Sequence, residues 1–252
     1  MKVLLSPAKA IDMTKKVNTD TISTPVFMDD AEYLMNKMSK FSARKIGEMM
    51  HLSSDLSELN FDRNQNWKSI SDQNNENAQA IGMFNGEVYR GFDALSLTKA
   101  ELNYTQETIR ILSGLYGILK PLDVIYPYRL EMGTSWAITP KRKGLYNYWG
   151  SKISTLLNEE ESEVIVNLAS NEYFKATNIK ALKARIITPI FKDFKNGEYK
   201  MIMVFAKQSR GKMARYIVDN KITDPELLKG YDLDGYRYDE NLSERDSWTF
   251  TR

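Results

Sequence analysis

Apolar and polar positions along this chain switch between two periods, the two-residue alternation of half-buried strands and the three-to-four-residue spacing of amphipathic helices. "KVLLS" at 2–6 predicts a short strand buried on both faces. "DDAEYLMNKMSKF" (29–41) and "SARKIGEMMHLS" (42–53) have helical spacing, with Ser42 placed as an N-cap for the second. Residues 60–79, "NFDRNQNWKSISDQNNENAQ", are polar and read as a surface connection or a solvated helix. "GEVYRGF" (86–92), bounded by glycines, reads as a strand or turn.

The second half is more regular. "IRILSG" (109–114) predicts a strand, "YNYWGSKISTLLNEE" (146–160) an amphipathic helix, and "EVIVNLAS" (163–170) a buried strand running into a helix at "NEYFKATN". "ARIITPIFKDF" and "YKMIMVFAKQ" flank "KNGE", so Asn196-Gly197 predicts a hairpin between two antiparallel strands. "RGKMARYIVDNK" (210–221) is helical in spacing, and "TDPELLKG" (223–230) is a short helix with Pro225 in its first turn. Strands alternating with helices, without an internal repeat or linker, predict a mixed α/β fold of the α+β kind: one compact domain over 1–252, with a mixed sheet, helices around it and a basic cleft.

One stretch fits neither period. "LSGLYGILKPLDVIYPYRLEMG" (112–133) is apolar but repeatedly interrupted. Leu112, Leu115, Tyr116, Ile118, Leu119, Leu122 and Ile125 are core candidates, while Gly114, Gly117, Pro121 and Pro127 force turns. If "PYRLE" is extended, Arg129 and Glu131 share one face and Leu130 takes the other. Such a pair is either part of a site or a buried structural ion pair.

Composition narrows the chemistry. The 252 residues are 42% hydrophobic and 27% charged, the profile of an ordered globular protein. Cysteine is absent and His51 is the one histidine, which removes thiolate nucleophiles, Cys-based metal sites and classical Ser-His-Asp machinery unless His51 serves it. His51 reads as a surface histidine. No metal and no cofactor are expected, and an iron-storing role would have only carboxylates to draw on. The apolar start ends after Val3, Leu4 and Leu5, too short for a secretory or membrane segment. A cytoplasmic protein without a membrane partner follows.

The net charge is only +2, but residues 207–221 carry +4 and 224–252 carry −4. "AKQSRGKMARY" reads as a basic strand-to-helix junction suited to phosphate, although taken alone it also fits a solvated turn. Other strand ends share this polarity. Ser6 and Lys9 in "SPAK", together with Asn167, Ser170, Glu172 and Lys175 in "NLASNEYFK", are placed to converge at the carboxyl edge of a sheet.

"SPAK", "FNGEVYRG", "LSGLYGILKPLDVIYPYRLEMG", "LYNYWG", "VNLASNEYFK" and "RGKMARYI" resemble, in order and spacing, the blocks of the YaaA family of bacterial peroxide-stress proteins. The resemblance covers nearly the whole chain. It implies a cytosolic protein of hydrogen peroxide resistance that limits free iron and binds DNA through a positively charged cleft. It also implies a helix-hairpin-helix-like element over 42–67, although the junction "HLSSDLSEL" lacks the usual glycine and adds Asp55 and Glu58.

On the leading reading, Lys9, Arg44, Lys45, Arg129, Lys175, Lys207, Arg210, Lys212 and Arg215 contact the phosphates of DNA. Recognition would then follow DNA structure more than sequence. Tyr128, Tyr146, Tyr148 and Trp149 are candidates for stacking on a base, or else core. The second reading is an enzyme on nucleic acid or a nucleotide-like substrate, with Ser6, Lys9, Glu131, Asn167, Glu172 and Lys207 as candidates.

Overall fold

The computed structural model describes residues 1–69 and 77–252. Lys2–Leu5 forms β1, and Val3, Leu4 and Leu5 are fully buried, as expected of a strand covered on both faces. Three helices follow the first loop: α1 (Met28–Met38), α2 (Ala43–Met50) and α3 (Ser54–Asn66). The middle of the chain supplies β2 (Ala78–Gln79), α4 (Ala80–Met83), α5 (Glu87–Phe92), α6 (Lys99–Thr108), β3 (Ile109–Ser113), β4 (Gly117–Leu119) and β5 (Val124–Ile125). Then come α7 (Leu145–Trp149), α8 (Lys152–Glu159), β6 (Val164–Asn167), α9 (Asn171–Phe174), β7 (Arg185–Lys195), β8 (Glu198–Lys200), α10 (Met203–Asp219), β9 (Arg237–Tyr238) and β10 (Ser247–Thr251).

Among the described residues one mixed sheet runs in the order β4-β3-β1-β6-β7-β10-β9, with β8 attached to β7. The pairings β3–β1, β1–β6, β6–β7 and β7–β10 are parallel, while β4, β8 and β9 join antiparallel. Val3 pairs with both Ile109 and Val166, which makes β1 the centre of the parallel block. The loops after β1, β3 and β6 therefore leave the same edge of the sheet. Among the described residues no helix is long and apolar enough to cross a membrane.

The Asn196-Gly197 turn is as predicted. Both residues have positive φ, 56° and 84°, the backbone that lets a two-residue loop follow the twist of its strands. Ser42 accepts a hydrogen bond from the Lys45 amide and caps α2. From Tyr126 to Met132 buried and part-exposed residues alternate, and Leu130 turns inward between Arg129 and Glu131.

Four local readings are corrected. "GEVYRGF" is helix α5, because Val88, Tyr89 and Phe92 all turn inward from one helical face. The second strand of the hairpin stops at Lys200 and α10 begins at Met203, so "AKQSRGK" lies inside a helix instead of at a strand-to-helix junction. "YNYWGSKISTLLNEE" is two helices, broken at Gly150, whose φ is +50°. "TDPELLKG" forms a 3-10 helix over Pro225–Gly230, its first turn held by the Asp224 carboxylate. Part of the polar stretch 60–79 belongs to α3, and residues 70–76 lie outside the described residues.

Helices α5 and α10 cross at two glycines. A Cβ on Gly91 would stand 2.3 Å from the Gln208 carbonyl oxygen, and one on Gly211 would stand 1.9 Å from that of Val88. Backbone-to-backbone contact of this closeness seats α10 beside α5, whose Tyr89 hydroxyl donates to the Ser6 carbonyl at 2.9 Å. The helix pair is thereby anchored to the loop that leaves β1.

Candidate functional site

The loops leaving β1 and β6 meet first. The Ser6 hydroxyl oxygen accepts from the Ser170 amide at 2.8 Å and lies 3.3 Å from the Ser170 hydroxyl. Asn167, at the end of β6, is buried; its Oδ1 accepts from the Ala169 amide at 3.1 Å. This bond shapes the turn that presents Ser170.

The third contribution is the extended segment after β5. Tyr128 is buried against Ser113, hydroxyl to hydroxyl at 2.6 Å, which leaves Arg129 and Glu131 on the opposite, wetter face. Glu131 gathers charge: one carboxylate oxygen is 3.1 Å from Arg129 Nη2 and the other is 2.5 Å from Lys9 Nζ. Arg63, on α3, lies near enough to Arg129 for their charges to oppose each other. Burial and the neighbouring Arg129 charge both hold the Arg63 guanidinium below its ordinary range, and its hydrogen bond to Asn60 is a long 3.5 Å. Two cations thus share one carboxylate, with a third, Arg63, close to one of them.

Glu172 sits at the rim, where its carboxylate accepts from the Gly133 amide at 2.9 Å. Tyr146 donates to the Glu172 backbone carbonyl at 3.0 Å, and Lys175 Nζ lies 5.0 Å from the Tyr146 ring centroid. A chain of contacts therefore runs from Lys175 through Tyr146 and Glu172 to the loop that carries Glu131. Beneath it Tyr173 is buried, and desolvation pushes its phenol well up, with the Tyr128, Glu172 and Glu131 groups adding in the same direction.

The basic helix divides into two parts. Lys212 is bound by Asp234 at 2.6 Å, so the acidic end of the chain folds back onto the basic one. Arg215 pairs with Asp219 at 2.6 Å and also donates to the Asp93 carbonyl and the Ser96 hydroxyl. Both are structural, and neither joins the cluster around Glu131. Lys207 is exposed on α10, and Arg210 is half-buried; neither has a carboxylate partner among the described residues. Burial alone lowers the Arg210 pKa, with no opposing charge to offset it.

Helices α2 and α3 form a hairpin joined by His51–Ser53, with His51 in the left-handed region at φ 54°. The Leu52 amide of the junction donates to the Gly47 carbonyl, and the Leu56 amide, in the first turn of α3, to the Ser53 hydroxyl. Arg44 is neutralised by Glu48 at 2.9 Å, and Lys45 is exposed beside a shallow groove lined by Phe41 and Trp136. Both lie on α2, away from the contacts that tie Lys9 and Arg129 together. Of the aromatic candidates, Tyr128, Tyr148 and Trp149 are buried and structural, and only Tyr146 keeps part of its surface.

Arg63 is the site residue that reading the sequence missed. Its signal was present: Ser53 caps α3, and helical spacing continues through Asn60, Asn64 and Trp67, all of which turn inward. The polarity of that stretch concealed it.

A family model described as "Peroxide stress protein YaaA" matches residues 1–242. Among curated relatives, a UPF0246 protein of Teredinibacter turnerae is 44% identical over 256 residues, covering 100% of this chain and 99% of the relative. UPF0246 proteins of Neisseria gonorrhoeae and Ralstonia pickettii are 44% and 45% identical, each over 100% of this chain and over 98% and 99% of their own lengths.

Proposed function

The chain belongs to the YaaA family of peroxide stress proteins, and from that premise we propose that it acts in the stress response by binding DNA through the strand-end cluster. The observation that carries this reading is the surplus of cations at one place: Lys9 and Arg129 share the single Glu131 carboxylate, and Arg63 adds its charge beside Arg129. A half-buried cluster with unbalanced positive charge is stabilised by an anion of distributed charge, and a phosphodiester backbone supplies one at each nucleotide. On this reading Lys175, Lys207 and Arg210 supply further phosphate contacts. Glu131 spaces and orients the cations, and phosphate contacts carry no base information, so the binding follows DNA shape rather than sequence. The effect on free iron that the family resemblance implies is then indirect.

The test is a titration of full-length protein with a bulged duplex over a range of salt. Affinity should fall steeply, with a slope of roughly −0.9 for each phosphate contacted. Replacing Lys9 and Arg129 by Gln should flatten that slope by about two contacts. Salt-independent affinity, or a slope unchanged in the double variant, would sink the proposal. Retained binding with lost peroxide protection in Glu172→Gln would move the reading to catalysis at the rim.

A further inference from the structure

The β7–β8 hairpin and the first turn of α10 carry a concentration of exposed apolar side chains. Phe194 is 60% exposed, Met203 55%, Val204 44%, and Tyr199 and Met201 42% each. The Phe194 and Tyr199 rings pack edge to face at 5.2 Å, so they form one continuous surface. An apolar patch of Met and aromatic residues is characteristic of the core of a protein interface.

The same hairpin has an open backbone edge. Asp193↔Lys200, Phe194↔Tyr199 and Lys195↔Glu198 are its opposed pairs. In a hairpin with a two-residue turn the pair next to the turn is hydrogen-bonded and the next pair is not. Phe194 confirms this register, since its amide turns away from β8 and donates to the Arg252 carbonyl at 2.7 Å. The Tyr199 amide and carbonyl must likewise point away from β7, toward the open side of β8. Among the described residues, β7 is the only strand that β8 pairs with.

We infer that β8 of one chain pairs antiparallel with β8 of a second copy, about a twofold axis at Tyr199. The charges select this occupant. Glu198 and Lys200, 2.7 Å apart within the chain, lie two residues apart on one strand face. In antiparallel pairing centred on Tyr199, Glu198 of each copy faces Lys200 of the other, and the two Tyr199 residues exchange both backbone hydrogen bonds. On the opposite face Tyr199 meets its own copy at the axis, and Phe194, packed against Tyr199 on the neighbouring strand, widens the apolar surface on either side. A strand whose charges are self-complementary under a twofold is what an isologous interface requires. A nucleic acid on this face would instead find Glu198 turned against its phosphates.

The experiment is the mass of the full chain by light scattering and sedimentation over a concentration series, with Glu198→Lys and Lys200→Glu. Both side chains are exposed, and circular dichroism with thermal unfolding verifies that each variant folds. The wild type should dimerise. Each single variant places like charges opposite one another at two symmetric points and should weaken association by at least about tenfold. Mixing the two variants restores both opposite-charge pairs, so the mixture should recover the mass of the dimer. A monomeric wild type overturns the inference, as does a dimer insensitive to both substitutions. So does a mixture that fails to reassociate, or tighter DNA binding by Glu198→Lys with the mass unchanged. Loss of DNA binding with the dimer intact would count against the proposed function alone.

Discussion

Lys9 and Glu131 meet at 2.5 Å, tying the loop that leaves β1 to the extended segment after β5. Lys9 is mostly exposed, so the pair contributes little to stability and much to the position of the charge. Glu131→Gln should cost about 1 kcal/mol of folding stability and leave Lys9 and Arg129 without their carboxylate. Affinity for an oligonucleotide at low salt should rise by roughly threefold. Anisotropy titration and urea denaturation check the two halves separately, and weaker binding would refute the role given to Glu131.

Arg210 carries a half-buried guanidinium whose desolvation is not offset by any carboxylate. Arg210→Met keeps the packing of the long side chain and removes the buried charge. The variant should be more stable by about 1 kcal/mol and should bind DNA about tenfold less tightly. Stability and affinity moving in the same direction would contradict this assignment.

Gly211 has no room for a side chain. A Cβ there would stand 1.9 Å from the Val88 carbonyl oxygen and 2.9 Å from the Phe92 amide nitrogen, both backbone atoms that cannot move aside cheaply. Gly211→Ala should cost more than about 3 kcal/mol by prying α10 from α5. The midpoint of urea unfolding measures it.

Asp123 is buried; it accepts from the Ser23 hydroxyl at 2.6 Å and from the Lys120 amide at 2.7 Å. Desolvation raises its pKa above the usual aspartate range, and the two hydrogen bonds oppose that shift without cancelling it. A carboxyl whose folded pKa is raised stabilises the fold most below its unfolded pKa, and loses that contribution as pH rises through the folded value. Asp123→Asn lacks this titration. The stability gap between wild type and variant should therefore shrink from about pH 4 to about pH 7. Unfolding curves at both ends of that range would contradict the assignment if the gap widened.

The features legible in the chain are those set within a few residues. Asn196-Gly197 encodes its own turn, Ser42 its own cap, and the Tyr126–Met132 alternation puts Arg129 and Glu131 on one face whatever surrounds them. Features that depend on distant partners were not legible. Nothing near Lys212 or Arg215 in the chain announces that Asp234, Asp93 and Ser96 will claim them, so their charge seemed free. Tyr148 and Trp149 look available until the core closes over them, with the Tyr148 hydroxyl on Asp30 and the Trp149 indole on the Gly114 carbonyl. Arg63 shows the reverse error, a polar stretch whose helix delivers a cation beside Arg129.

Local stereochemistry and hydrophobic periodicity, which act over one turn or one strand, were enough to determine the mixed α/β class, the buried strands at β1 and β6, the hairpin, and the kinship that its motif blocks carry. Which cations remain unpaired was decided only when the sheet brought Lys9, Arg129 and Glu131 together and the acidic end of the chain folded onto Lys212. Electrostatic balance depends on distances of a few ångströms between groups far apart along the chain, and those distances exist only after the tertiary structure has formed.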